Sequence, residues 1–244
     1  MYSRHKALLA AALLVPMILC VNAFGYVVSD DDVPEVTARV ARVTFTSGDV
    51  QVRRLGNTDW ERATSDLPMV EGDEIATGTD GRLEIQLNSF GYLRLEKNSY
   101  LRISTFKDEG VAVSISEGSM SVRFLDFDKD KSYFEIDAPK TTIAVEKAGI
   151  YRIDAGSDND DHVRVTVTES GEARVYSENS GFTLKNGRSA TITIDGDLAG
   201  EWETAAAAKF ADDFDGWALD RDAVIDKKLN DAYYDKYYDR DIYG

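Results

Sequence analysis

Between about residue 39 and residue 195, apolar and polar residues alternate with a period of two in a series of short stretches. In RLEIQL (82–87), Leu83, Ile85 and Leu87 fall on one side, and Arg82, Glu84 and Gln86 on the other. VAVSI (111–115), SMSVRF (119–124), HVRVTV (162–167) and ATITI (190–194) behave the same way. Successive side chains of a strand point to opposite faces, so this pattern predicts half-buried β-strands. Turn residues separate the stretches: Gly48, Gly56-Asn57, Gly72-Asp73, Asp80-Gly81, Gly118, Gly171 and Asn186-Gly187. Strands recur about every ten residues, the rhythm of an all-β sandwich, barrel or solenoid.

A partial internal echo supports stacking. SGDVQV (47–52), EGSMSV (117–122) and SGEARV (170–175) each pass from a glycine into a strand ending in valine. VEGDEIAT (70–77) and LKNGRSATI (184–192) share a glycine turn that leads into Ala-Thr. The intervals are unequal, so the chain is not a repeat array of fixed period. The expected fold is all-β, a solenoid-like or sandwich stack of short strands with Gly turns over residues 39–198.

Near Thr204 the period changes. Phe210, Phe214, Trp217, Arg221, Val224, Ile225 and Leu229 recur at steps of three and four, predicting an amphipathic helix over 204–230 with one aromatic stripe. Ala205 to Ala208 favour it and Gly216 weakens it. An exposed stripe would invite aggregation, so docking on the β-domain is the simpler use, with partner binding as the alternative. The last stretch, 231–244, is a Tyr- and Asp-rich tail. Tyr233, Tyr234, Tyr237 and Tyr238, with Trp217, form the candidate interaction surface, since tyrosine combines contact area with a polar tip.

The N-terminus follows another logic. Arg4 and Lys6 precede an apolar run from Ala7 to Leu19 that is interrupted by Pro16, and Val21 and Ala23 give a small-x-small cleavage pattern. Residues 1–23 therefore read as a signal peptide cut after Ala23, with 24–38 as an acidic lead-in and a periplasmic or secreted product. The run is short for a membrane span, which needs ~20 residues, so an uncleaved inner-membrane anchor is the alternative and the only membrane attachment expected. Cys20 is the sole cysteine, and Leu19 sits where a lipoprotein signal needs a small residue. Cleavage leaves no cysteine, hence no disulfide and no thiol chemistry.

Charge narrows the partners. With 28 Lys+Arg against 44 Asp+Glu the net charge is -16, which repels phosphate backbones and anionic lipids. Nucleic acid is thus not an expected partner. Carboxylates crowd VEGDEIATG (70–78), where Glu71, Asp73 and Glu74 could be an acid/base pair, a metal site or a polar turn between strands. Neighbouring strand residues diverge, so the turn reading is favoured. Asp158, Asn159, Asp160 and Asp161 beside His162 lack the glycine and distal carboxylate of a calcium loop. Asp213-Phe214-Asp215-Gly216 has Ala211 where a calcium loop needs its first ligand. There is no G-x-S-x-G, P-loop or G-x-G-x-x-G. The acidic loops leave calcium stabilisation as a side expectation, to be read from melting with and without the ion.

An ordered set of these motifs carries a resemblance. Gly48-Asp49-Val50-Gln51-Val52, Trp60, and Gly72-Asp73-Glu74-Ile75-Ala76-Thr77-Gly78 come first. RLEIQL follows, then LRLEKNSYLRI with Leu93, Leu95, Ser99, Leu101 and Ile103. Glu117-Gly118-Ser119-Met120, Phe134-Glu135-Ile136-Asp137-Ala138-Pro139 and Gly149-Ile150-Tyr151-Arg152-Ile153 come next. Glu172-Ala173-Arg174-Val175 and Leu184-Lys185-Asn186-Gly187 close the set. Residues from about 43 to 195 thereby resemble the FecR domain, a periplasmic all-β domain. Asp213-Phe214, Trp217, Arg221 and Asp222 are similar to a segment that often follows this domain in exported proteins.

The resemblance implies a solenoid-like β-part, no catalytic residues and no cofactor. The family's best-known members are inner-membrane anti-sigma regulators with a cytosolic helical domain. Only six residues precede the apolar run here, so that signalling role is not expected. What the resemblance leaves is an exported, non-enzymatic module acting on an envelope protein, as scaffold or regulator. A glycan- or peptidoglycan-binding module is the first rival, and a carboxylate-pair hydrolase the second.

Overall fold

A computed structural model describes residues 40–238 apart from 89–90, 157–159 and 178–179, and residues 234–238 by their backbone alone. The expected signal peptide, Cys20, the acidic lead-in and residues 239–244 lie outside the described residues.

The strands form two layers. The first, here the helix-side layer, contains β1 (Ala41–Ser47), β4 (Pro68–Met69), β6 (Arg82–Gln86), β7 (Gly91–Leu95), β12 (Lys147–Gly156), β13 (His162–Glu169), β16 (Arg188–Thr193) and β17 (Trp202–Ala206). The far layer contains β2 (Val50–Arg53), β3 (Glu61–Arg62), β5 (Glu74–Thr77), β8 (Tyr100–Phe106), β10 (Tyr133–Ala138), β11 (Thr141–Val145), β14 (Glu172–Ser177) and β15 (Gly181–Lys185). The long strand β9 (Gly110–Asp128) belongs to both. Its first half pairs with β8 and, in parallel, with β10; its second half lies between β7 and β12. The helix-side order is thus β4-β1-β6-β7-β9-β12-β13-β16-β17, antiparallel throughout, and the far order β3-β2-β5-β8-β9-β10-β11-β14-β15.

This corrects the expectation of two strands parted by a turn at Gly118. Gly118 carries the crossing with φ +79°, and a Cβ there would come within 2.2 Å of Ser99 Oγ. The glycine bends one strand from layer to layer instead of reversing it.

The inward alternate positions of both layers fill one continuous core. Val43, Leu83, Ile85, Leu95, Met120, Val122, Ile153 and Val165 come from the helix-side layer, and Val52, Ile75, Leu101, Ile115, Ile143 and Val175 from the far layer. Tyr151 is fully buried among them. Its hydroxyl accepts from the Glu172 N–H at 3.0 Å and donates to the Lys147 carbonyl. Burial pushes its phenol up to about 12, against the opposing pull of those backbone bonds.

The C-terminal segment differs from the expected 204–230 helix. Residues 202–206 form β17, pairing Ala206 with Arg188 and Thr204 with Ala190. A 3-10 turn, Ala207–Phe210, follows, and α1 runs Asp213–Tyr238. The strand-forming partner overrides alanine's helix preference at 205–206. The helix starts where it does because Asp212 caps it: Asp212 Oδ1 accepts from the Phe214 N–H at 2.9 Å. Asp215 returns the bond, accepting from the Asp212 N–H at 3.0 Å, which closes a capping box. At the other end α1 continues eight residues past the expected 230, into the stretch read as a tail.

Candidate functional site beneath the C-terminal helix

At its centre the helix-side layer buries both of its faces. Along β7 every residue of Gly91–Leu95 is buried, and in β6 Glu84 is as buried as Leu83 and Ile85. The cover on the outer face is α1, which turns Phe214, Ala218, Asp222 and Ile225 toward the sheet. These positions recur at the helical period, and Trp217 and Arg221 flank them.

Strand register aligns the groups that meet the helix. Glu84 of β6 pairs with Arg94 of β7, Arg94 with Ser121 of β9, Ser121 with Arg152 of β12, and Arg152 with Thr166 of β13. Arg82, Arg123 and Arg164 occupy the same outer face, so adjacent strands each present an arginine. On a chain of net charge -16 this is a locally basic surface, and α1 meets it with aspartates.

Arg94 is the centre. Its Nε donates to Glu84 Oε2 at 2.9 Å and its Nη2 to Asp222 Oδ1 at 2.6 Å, with Arg94 and Glu84 wholly shielded from solvent. Glu84 is held from the helix too: Arg221 Nη2 donates to its Oε1 at 2.7 Å, and Thr44 Oγ1 at 2.8 Å. Burial works against the ionised Glu84, yet the bonds from Arg221 and Arg94 keep its carboxyl below the usual range. Arg123 reaches Asp222 at 3.2 Å and Asp226 at 3.0 Å.

At the helix N-terminus Arg152 gathers three carboxylates. Its Nε donates to Asp154 at 2.8 Å, its Nη2 to Asp212 at 2.8 Å, and its Nη1 to Asp215 at 2.6 Å. Burial opposes the charge of Arg152, but its bonds to Asp212 and Asp154 dominate and raise its pKa. The hydrogen bond from Arg152 lowers the Asp212 carboxyl, while burial raises that of Asp215. Aromatic rings complete the contact. Trp217 lies 5.8 Å from Phe45 and 5.9 Å from Phe214, with Arg82 over its ring at 5.2 Å, and Arg221 covers Phe45 at 4.7 Å.

Such an arrangement is suited to holding, not to proton transfer. Ionised carboxylates clamped between guanidinium groups keep their charge, and breaking one buried pair leaves a charge unmatched at a cost of about 3–5 kcal/mol. The packing is not complete. A hollow of about 280 Å³ lies between the sheet, the 3-10 turn and α1, lined by Ser121, Thr166, Ala207, Ala211 and Ala218 among others.

Known proteins connect to part of this architecture. Residues 73–174 match the family described as FecR protein. The FecR match covers about two-fifths of the chain, from the start of β5 into β14, and is narrower than the 43–195 read from motifs. It includes Glu84, Arg94, Arg123 and Arg152 and stops before α1. Two crystal structures of a candidate anti-sigma factor from Parabacteroides distasonis ATCC 8503 are similar at 16% identity and a TM-score of 0.47. Each covers 55% of this chain, and the chain spans 59% of that protein's length. No curated protein matches.

The carboxylate-rich VEGDEIATG straddles the start of the match, and its side-chain partners show what its acids do. Its three acids serve three separate partners. Glu71 accepts from the Phe106 N–H at 3.0 Å. Asp73, fully buried, accepts from the Val70 N–H at 3.0 Å and pairs with Arg54 at 2.6 Å. Glu74 pairs with Arg53. The segment is a turn pinned by side chains, as its alternation implies.

The expected contact residues divide. Trp217 is half-buried in the helix–sheet seam, whereas Tyr233 is exposed near the end of α1. Tyr234, Tyr237 and Tyr238 sit on the same helix, with side chains outside the description. Among the turn glycines, Gly48, Gly72, Gly118 and Gly187 have positive φ. At Gly171 the left-handed position is taken by Ser170 instead, and Gly171 is required because a Cβ would come 2.7 Å from the Tyr151 hydroxyl. His162 bonds Asp161 at 3.1 Å at the layer's rim, and Asp158 and Asn159 fall outside the described residues. Among the described residues no cluster of three His, Cys, Asp or Glu is placed to hold a metal ion, and no helix is long and apolar enough to cross a membrane.

The arginine row escaped the sequence reading, which placed Arg82, Glu84 and Gln86 together on the face opposite the apolar one and assigned that face no partner. The usable signal was the Asp212-x-x-Asp215 capping box, together with Asp215, Asp222 and Asp226 on one helical face.

Proposed function

We propose that this protein is an exported FecR-like module of the cell envelope that works by protein contact, as scaffold or regulator, without catalysing a reaction. The observation that carries the reading is the outer face of the helix-side layer. Its arginines stand in register and grip a segment 60 to 128 residues distant in sequence, Arg152 meeting Asp212 and Arg94 meeting Asp222, while Arg221 of that segment meets Glu84. The FecR match over the strands that carry those arginines supports a regulatory role. The buried carboxylates Asp73, Glu84 and Asp222 each have an arginine partner, which disfavours a carboxylate-pair hydrolase.

Crosslinking capture from envelope extract tests this, using the full chain and an Arg123→Glu variant. Recovery of one envelope protein by the full chain, reduced in the variant, supports the reading. Recovery of no protein by either form removes it.

One patch favours glycan binding as a second reading. Trp202 stacks on Phe182 at 4.0 Å and is 42% exposed, close to Ser180, Asp197 and Glu201. An exposed indole beside hydroxyl and carboxylate groups suits a sugar ring. Retention on peptidoglycan or a polysaccharide that Trp202→Ala abolishes would decide for it.

A further inference from the structure

We infer that the arginine row is the binding site for an acidic amphipathic helix of a partner protein, and that α1 occupies it as a displaceable stand-in. The inference rests on the protein-contact reading and deepens it by naming the face and the chemistry of the partner.

Three observations lead there. The first is charge complementarity. α1 delivers Asp212 and Asp215 to Arg152, Asp222 to Arg94 and Arg123, and Asp226 to Arg123. A partner helix with carboxylates at the spacing of Asp215, Asp222 and Asp226 would meet the same arginines. The second is the seating of α1, firm around Asp222 and shallow towards both ends. The side chains of Asp212 and Asp226 are 50% and 48% exposed, and every residue from Lys227 to Tyr233 is exposed. Ends held by few buried contacts open at low cost and give a competitor its first foothold.

The third is the hollow of about 280 Å³ beside Ala218. α1 lines it with the Ala218 methyl group, Leu219, Asp215 and Asp222, and Ala207, Phe210 and Ala211 of the preceding segment line it too. A competing helix with Leu or Phe at the position of Ala218 would make the same aspartate–arginine pairs and fill the space as well. Well-packed apolar anchors in such hollows dominate binding energy, so the defect gives a partner its advantage over the resident helix. The partner is thus an acidic helix carrying one bulky apolar side chain among its carboxylates.

The test uses a fluorescent peptide of residues 207–238 as probe against the full chain. Saturable binding is expected, weakening about tenfold between about 50 and about 300 mM NaCl as exposed pairs are screened. A peptide with Asp212, Asp215, Asp222 and Asp226 all changed to Asn, and one of scrambled order, should bind at least about tenfold more weakly. The probe with Ala218→Leu should bind tighter. The same substitution in the chain should seat its own helix and reduce probe binding about fivefold, with Ala211→Leu as a second filling variant.

Equal binding of the scrambled peptide would mean general charge attraction and overturn the inference. So would the absence of saturable binding both to the chain and to a Phe214→Ala chain whose own helix is loosened. A concentration-dependent dimer that the probe dissociates would assign the face to a second copy of this chain and overturn the partner claim. Envelope capture that succeeds but is indifferent to excess peptide would leave the proposed function standing and remove this inference. Peptide exchange without any captured protein would do the reverse.

Discussion

The two faces of the helix-side layer are built from the same strands by opposite means. The inner face is apolar, with Leu83, Ile85, Leu95, Val122 and Ile153 packed into the core. The outer face is as deeply covered along β6 and β7, yet it is covered by charge: Glu84 and Arg94 are wholly shielded, and Asp222 nearly so. Apolar packing is non-directional and tolerates many arrangements of similar volume. An ion-paired face accepts only a segment whose charges fall at the matching places. The inner face holds the layers together; the outer face selects what lies on it.

The contrast breaks most sharply at neighbouring residues. Leu95→Ala on the inner face should lower the unfolding free energy by about 2–5 kcal/mol through the cavity it leaves. Arg94→Ala on the outer face should cost about 3–5 kcal/mol, because Glu84 and Asp222 remain buried without it. Urea unfolding gives both numbers, and the fluorescence of Trp217, read with Trp60 and Trp202 replaced by Phe, separates them. The arginine change should release the helix before the core melts, whereas the leucine change should lose both together. A triple replacement, Arg94→Met with Glu84→Leu and Asp222→Leu, should recover most of the stability. If it recovers nothing, the outer face stabilises the fold by more than its packing, and the division of labour fails.

The same contrast explains what the sequence disclosed. Period-two alternation exposed the inner face in full, since apolar residues at alternate positions have one plausible destination. It could not expose the outer one, because a strand that reads Arg-Leu-Glu-Ile-Gln is identical in pattern whether its polar side meets water or a helix. The partner groups of Glu84 and Arg94 lie 137 and 128 residues away, beyond any local period. The helix had its own disguise. Asp222 sits in the middle of its buried face with Arg221 at the flank, so an apolar stripe drawn through Val224 and Leu229 misplaces it, and both of those residues are exposed. At Gly118 a glycine that bends a strand between layers was indistinguishable by composition from one that ends it.

Within the seam, Phe214 is the principal apolar anchor, 2% exposed and stacked beside Trp217 under Arg152. Phe214→Ala should weaken docking of α1 by about 3 kcal/mol. Hydrogen exchange is the suitable measure: amides of 213–226 should lose protection while those of β7 and β12 keep theirs. Loss across the whole sheet would show that helix and core form one cooperative unit.

A polar change on the apolar side should be milder. Tyr151→Phe removes the hydroxyl that serves Glu172 and Lys147 without altering the ring's packing. The unpaired Glu172 N–H should cost about 1 kcal/mol, which lowers Tm by about 2–4 °C in a domain of this size. No loss of helix docking should accompany it.

The smallest effect concerns acid. Asp212 has a lowered carboxyl pKa, so its contribution to docking is complete above its ordinary value of ~3.9 and disappears as pH falls through the lower folded value. Asp215 has the opposite sign: burial raises its pKa, so its contribution is present below ~3.9 and is lost as pH rises through the raised folded value. The two groups share Arg152 and partly cancel. Asp212→Asn should therefore flatten the loss of α1 protection between about pH 5 and pH 3, and Asp215→Asn should steepen it. Parallel pH profiles for the two variants would mean that Arg152 does not discriminate between them, and that the ionic face is less specific at its N-terminal end than around Arg94.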